Sequence, residues 1–207
     1  MRDTKKMIGD RNQKQRFMCD LMNVILEGEA KQKAQTEEEL YKIPYIPNAV
    51  EGVSVAVKNV GADDLIIVSR IDKEAPWLQG FYLDLLRNRG FFKETGVRDD
   101  PDHVKFCHYR EEKGIICYVQ KITIAMDDRT AVHWSIGRAH CQKTPPGLSL
   151  QHMRQMSDVE LDHPPHGLRR ILFRPDPIDR RLHEQWPDGI TIINSWPEVL
   201  MYLGWRK

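Results

Sequence analysis

A chain of 207 residues is long enough for one domain, or for one domain with an extension. Hydrophobic residues make up 41% and charged residues 29%, the balance of a globular protein with a polar surface, and no apolar run approaches the roughly 20 residues of a membrane span. A formal net charge of +1 gives no overall basic signature for nucleic acid, and four scattered cysteines make no disulfide framework, which points to a reducing intracellular setting, cytoplasmic or nuclear.

Residues 1–16 carry six basic side chains against two acidic ones, a net +4 that can touch phosphate or simply keep a terminus solvated. The opening Met-Arg-Asp-Thr-Lys-Lys is not followed by the apolar run of a secretory signal. Phe17, Leu21, Val24 and Ile25 recur at helical spacing and predict an amphipathic helix over about 13–27. Residues 29–40 predict a second helix with almost no apolar face, and Ile43-Pro-Tyr-Ile-Pro47 stops it. The expected organisation is a basic arm and helical extension over 1–47, then a single domain over 48–207.

Val53, Val55 and Val57 alternate with Ser54, Ala56 and Lys58, and Leu65 to Ile71 is a second β-rich run beyond the turn at 61–64, so the two predict a hairpin. Residues 73–88 predict a helix, with Pro76 in its first turn, Trp77, Leu78, Phe81, Tyr82, Leu85 and Leu86 on one face, and Gly90 beyond its end. Between His103 and Cys141, the runs 103–109, 115–124 and 131–136 are dense in β-branched and aromatic residues and predict an antiparallel meander. The fold expectation is therefore α+β, a largely antiparallel sheet with helices packed on one face, preceded by the N-terminal helical extension.

Proline-rich connections follow at 142–147 and 157–167, the latter with His163 and His166, around a short predicted helix at 148–156. Leu168 to Arg174 reads as a strand, and Asp176-Pro177 as an N-cap and first turn, with Ile178, Leu182 and Trp186 on one helix face. Ile190 to Ile193 is a strand, and Ser195-Trp-Pro-Glu198 is a capping box opening a terminal helix over 199–203.

For function, the sequence lacks a glycine-rich phosphate loop, a Gly-x-Ser-x-Gly elbow and a His-Glu-x-x-His pair. The leading expectation is a non-catalytic binding or assembly protein that docks on a protein partner or a second copy through Phe17, Leu21, Val24 and Ile25, with no cofactor. The first alternative is RNA binding through Arg169, Arg170, Arg174, Arg180 and Arg181 with the basic arm, stacking supplied by Phe173 and Trp186. The second is a zinc-binding or cysteine-dependent enzyme built on Cys107, His108, Cys117, His133, His140 and Cys141. Those side chains are suitable zinc ligands, but they lack the Cys-x-x-Cys knuckle, and buried thiols with exposed histidines are the plainer reading. Asp99, Asp100, Asp102 and His103 form an acidic loop suited to a hard cation. Asp102 followed by Glu111, Glu112 and Lys113 resembles the paired acids and lysine of a metal-dependent nuclease. That site needs the acids and lysine on a strand, whereas here they fall in a charged turn beside Gly114.

Overall fold

The computed structural model describes residues 14–28, 36–141, 168–185 and 189–205. Their six strands are β1 (Phe17–Cys19), β2 (Leu65–Arg70), β3 (Val104–Cys107), β4 (Ile124–Asp127), β5 (Arg169–Phe173) and β6 (Ile190–Ile193). They form one sheet in the order β3-β2-β1-β4-β5-β6, and every neighbouring pair runs parallel. Parallel neighbours require long crossovers. The chain supplies them with α1 (Glu37–Tyr41) and α2 (Ala49–Val60) after β1, α3 (Leu78–Asn88) and α4 (Phe91–Thr95) after β2, and α5 (Arg110–Val119) after β3. α6 (Thr130–Cys141) follows β4, α7 (Pro177–Gln185) follows β5, and α8 (Trp196–Leu203) follows β6.

Side chains alternate across the sheet, so each strand feeds two cores. Phe17, Cys19, Leu65, Ile67, Ile124 and Met126 join one core with Val53 of α2, Leu85 of α3 and Trp196 of α8. Met18, Ile66, Val68 and Ala125 join the other with Cys117 of α5 and Val132 and Ile136 of α6. Helices thus cover both faces of an α/β sheet.

This overturns the expected antiparallel sheet with helices on one face. Three segments predicted as strands, or as parts of strands, lie in α2, α5 and α6. In α2 the buried residues are Ala49, Gly52, Val53 and Ala56, a helical interval, while Val55 and Val57 are only partly buried. β-branched residues disfavour a helix by less than about 1 kcal/mol each, so tertiary packing decides. A sheet covered on both faces also has no polar side, so its strands do not show the alternation that marks a half-wetted sheet.

The expected N-terminal helix over 13–27 is absent as well. Phe17 to Cys19 form the central strand, and Leu21 to Leu26 make one tight turn, in which the Ile25 and Leu26 amides donate to the Leu21 carbonyl at 3.0 and 2.8 Å. A single turn is enough to create the helical spacing of positions 21, 24 and 25. Phe17, Leu21, Val24 and Ile25 are all fully buried. The expectations at 142–167, including His163, His166 and the helix at 148–156, lie outside the described residues, as do Trp186 and residues 29–35.

Other local signals act as expected. Asp176 Oδ1 accepts the amides of Ile178 and Asp179 at the start of α7, and Ser195 Oγ accepts the Glu198 amide at the start of α8.

α5 and α6 pack closely because Gly114 lies flush against the α6 backbone. A Cβ built there would sit 2.5 Å from the Ser135 carbonyl oxygen and 2.7 Å from its carbon. Gly114→Ala should therefore destabilise the protein by about 1–3 kcal/mol, despite alanine's better helix propensity. Urea unfolding measures this, and a loss under about 0.5 kcal/mol would contradict the close approach.

Candidate active site

The strand order reverses between β1 and β4, because the chain builds leftward from β1 through β2 to β3 and then crosses to β4 on the other side. In open parallel sheets, the crevice beyond the carboxyl ends of the strands at such a switch point is where ligands bind. β1 delivers Asp20 to that point, and β4 delivers Asp127 and Asp128. The Asp20 amide still donates to the Met126 carbonyl at 3.0 Å, so the two strand ends are held level. All three carboxylates are buried, and one ligand oxygen from each lies within 4.8 Å of the others.

Lys113 closes the cluster from α5. Its ammonium lies 2.8 Å from Asp20 Oδ2 and 2.7 Å from Asp127 Oδ2, and the residue is 1% exposed. α5 is aimed by a cap at its first turn, where Glu112 Oε2 accepts the His108 and Tyr109 amides at 2.7 and 3.0 Å. Burial would strip the Lys113 proton, but Asp127 and Asp20 outweigh it and hold the pKa above the ordinary lysine value.

Three buried carboxylates share the Lys113 ammonium and, at Asp128, the Arg129 guanidinium, which is also divided among Asp176 and Asp179, so negative charge is in excess. Isolated charge is costly there, so protons compensate. Burial and then the Asp127 charge, against the pull of Lys113, push Asp20 up to about 6. Burial and then the charges of Asp127 and Asp20 push Asp128 up to about 7. A divalent cation would compensate the same charge.

Each carboxylate is also fixed by backbone or side-chain donors. Asp20 Oδ1 accepts the Leu21 amide at 2.7 Å, and Asp127 Oδ1 accepts the Arg129 amide at 3.0 Å. Asp128 Oδ2 accepts Asn23 Nδ2 at 2.7 Å and lies 3.2 Å from Arg129 Nε. Arg129 Nη1 continues to Asp176 and Asp179 at 2.5 and 2.9 Å, tying the end of β4 to the start of α7. His133, on α6, donates from Nε2 to the Asp127 carbonyl at 3.2 Å. Burial lowers its pKa to about 4, so it is neutral at neutral pH.

Ser69 adds a second signal. It stands near the end of β2, beside β1, and it is 1% exposed, yet its hydroxyl has no hydrogen-bond partner. Buried hydroxyls are normally satisfied, so one left open near the carboxyl end of β2 is available as a donor to a ligand oxygen.

The residues singled out in the sequence are dispersed. Cys107 and Cys117 sit in the second core, where burial pushes the Cys107 thiol up to about 12 and the Cys117 thiol higher, the reverse of an activated nucleophile. His108 is exposed and His133 is buried against Asp127, while the side chains of His140 and Cys141 lie outside the described set. Among the described residues, the three aspartates are the only group of three or more His, Cys, Asp or Glu side chains placed to hold a metal ion. Asp99, Asp100 and Asp102 are separately engaged with Arg87, His103 and Lys105.

Four of the five arginines have separate partners. Arg170 is buried and donates to the His133 carbonyl at 3.1 Å, Arg174 pairs with Glu27, Arg180 bonds Asn194, and Arg181 bonds the Pro177 carbonyl. A depression lined by Lys14, Arg16, Asp63, Asp64, Lys121 and Thr123 lies at the opposite edge of the sheet, before β1, β2 and β4. Its charges already pair, Lys14 and Arg16 with Asp64.

No family model matches the chain, and no curated protein matches it. No helix among the described residues is long and apolar enough to cross a membrane.

Lys113→Met should cost about 3–5 kcal/mol at neutral pH, because it leaves the Asp20 and Asp127 carboxylates buried without their cation. The Asp20 carboxyl is already raised by burial, and losing Lys113 raises it further. The folded variant then binds more protons than the unfolded chain above the ordinary carboxyl pKa, so its stability should recover as pH falls toward 5. Urea unfolding at pH 7 and pH 5 tests this; a loss below about 1 kcal/mol at pH 7, or no recovery at pH 5, would contradict it.

Proposed function

We propose that this chain is a divalent-cation-dependent phosphoryl-transfer enzyme of the phosphohydrolase type, with Asp20 as its nucleophile. The observation that carries the reading is the gathering of Asp20, Asp127 and Asp128 around buried Lys113 at the switch point of a parallel sheet. An all-oxygen donor set suits Mg²⁺, which is usually held by one or two carboxylates, water and substrate phosphate.

The proposed roles rest on position. β1 lies between β2, which carries Ser69, and β4, which ends at Asp127 with Asp128 next to it. Asp127 and Asp128, on the β4 side of Asp20, would hold the cation, and Ser69 near the end of β2 would be a candidate donor to a phosphoryl oxygen. When bound, Mg²⁺ supplies positive charge to the phosphoryl oxygens. Lys113 adds a fixed positive charge and holds Asp20 in place.

In the first step, an Asp20 oxygen forms a bond to phosphorus and the bond to the leaving oxygen breaks. The electron pair stays on that oxygen, which takes a proton from solvent. In the second step, water adds to phosphorus, the bond to Asp20 breaks, and inorganic phosphate and a proton leave as the carboxylate is restored. Carboxylate nucleophiles work in this way by splitting one difficult displacement into two. Leu21, Met22 and Asn23 follow Asp20 and offer no acid or base, so the leaving group's own acidity should govern the first step.

The strand order also serves dinucleotide binding, but that use needs glycines in the turn after the first strand, and Asp20-Leu-Met-Asn-Val-Ile25 has none. Docking through Phe17, Leu21, Val24 and Ile25 has no exposed face to use, because the core takes all four.

With Mg²⁺, the protein should release phosphate from an aryl ester such as p-nitrophenyl phosphate faster than from glycerol 2-phosphate, and EDTA should abolish both. Asp20→Asn should lower kcat by at least about 1,000-fold, the scale expected when a nucleophile is lost. Absence of turnover of every phosphate ester by the wild type, or an Asp20→Asn variant with wild-type kcat, would overturn the proposal.

A further inference from the structure

The turn that follows β1 does more than reverse the chain. Asn23 adopts φ +60°, in the left-handed region, and its amide donates to the Leu26 carbonyl at 2.7 Å. Asparagine tolerates this conformation better than most side chains. From that position its side chain works at both ends. Oδ1 accepts the Gly28 amide at 3.0 Å, while Nδ2 reaches 105 residues along the chain to Asp128 Oδ2 at 2.7 Å.

The turn itself is anchored. The Ile46 amide donates to the Ile25 carbonyl and the Glu27 amide to the Pro44 carbonyl, and Trp196 Nε1 donates to the Val24 carbonyl at 2.8 Å. Gly28 is required for this fit, since a Cβ there would lie 2.1 Å from Asn23 Oδ1 and 2.8 Å from its Cγ. Both side-chain partners of Asp128, Asn23 and Arg129, meet the same oxygen, Oδ2. Oδ1 accepts no hydrogen bond from the described residues and is the oxygen left for a cation.

We infer that the Asn23–Gly28 clasp is a positioning device for the cation site: it fixes the Asp128 carboxylate from Oδ2 so that Oδ1 is presented to the ion. This rests on the cation reading of the three aspartates, whose ligand oxygens lie within 4.8 Å of one another around buried Lys113. Neither Asn23 nor Gly28 touches the reacting atoms. They act through Asp128, as outer partners of metal ligands commonly do.

The test uses Mn²⁺ alone, with its affinity for the full chain read by electron paramagnetic resonance. Asn23→Gly keeps the left-handed backbone and removes only the side chain. Gly28→Ala keeps Asn23 in the chain but forces it aside. Each should weaken Mn²⁺ binding by roughly 10-fold or more, the scale seen when second partners of metal ligands are lost, with the thermal midpoint little changed for Asn23→Gly. In an Asp128→Asn background, Asn23→Gly should have no further effect, because the group it positions is gone.

An Asn23→Gly variant with wild-type Mn²⁺ affinity would overturn the clasp while leaving the cation site standing. So would the same loss in both backgrounds, which would mark a general structural effect. A wild-type chain that takes up no Mn²⁺ would overturn the cation site and the clasp together.

Discussion

Lys113 lies buried between Asp20 and Asp127, its ammonium 2.8 and 2.7 Å from their carboxylates. A buried ion pair is a poor source of stability, because desolvation consumes most of its attraction. Its persistence therefore needs another account. Here it fixes the end of α5 against the ends of β1 and β4, the two strands between which the sheet reverses direction. A second helix must then approach closely enough to hold α5 in place, which explains why Gly114 lies against the Ser135 backbone. The charged cluster and the glycine contact are one constraint met at two levels.

Around that centre the chain spends its polar groups on orientation. Every carboxylate of the cluster has one oxygen taken by a backbone amide or by the Asn23 and Arg129 side chains. Arg129 then carries the fixing outward to Asp176 and Asp179, and Thr130 donates its amide to Asp179 Oδ1 at 2.7 Å. Four separate stretches of sequence thus converge on one corner of the sheet. Pre-organisation of this kind is what electrostatic catalysis requires, since fixed charges need not reorganise as the reaction proceeds.

Part of this was legible in the sequence. β2, β5, β6 and the α3 and α8 helices follow from apolar runs and capping residues that sit where local rules place them. The parallel topology was not legible, because α2 and α5 are rich in valine and isoleucine and Val132 to Ile136 of α6 alternate apolar and polar side chains, so all three pass for strands when read locally. Phe17 to Cys19 offered only three residues, and the turn beyond them imitated a helix. In the sequence Lys113 stands beside Glu111 and Glu112 and after Asp102, whereas its partners lie at residues 20 and 127. Asp127-Asp128 read as a turn. The available signal was an apolar run ending in aspartate, as in Phe-Met-Cys-Asp20 and Ile-Ala-Met-Asp127, although Phe-Tyr-Leu-Asp84 in α3 shares it. Apolar runs of that length suit buried parallel strands, and a carboxylate at the end of each is the pattern a switch-point site would leave.

The most direct test of a nucleophilic Asp20 is to trap the phosphoryl group on it. The protein would be mixed with p-nitrophenyl phosphate and Mg²⁺, quenched in acid, and digested for mass spectrometry. Phosphoryl transfer through Asp20 predicts one added phosphoryl group on the peptide that contains Asp20, absent when Mg²⁺ is withheld and absent in Asp20→Asn. Turnover of the ester with no such adduct, or an adduct on another residue that persists in Asp20→Asn, would contradict it.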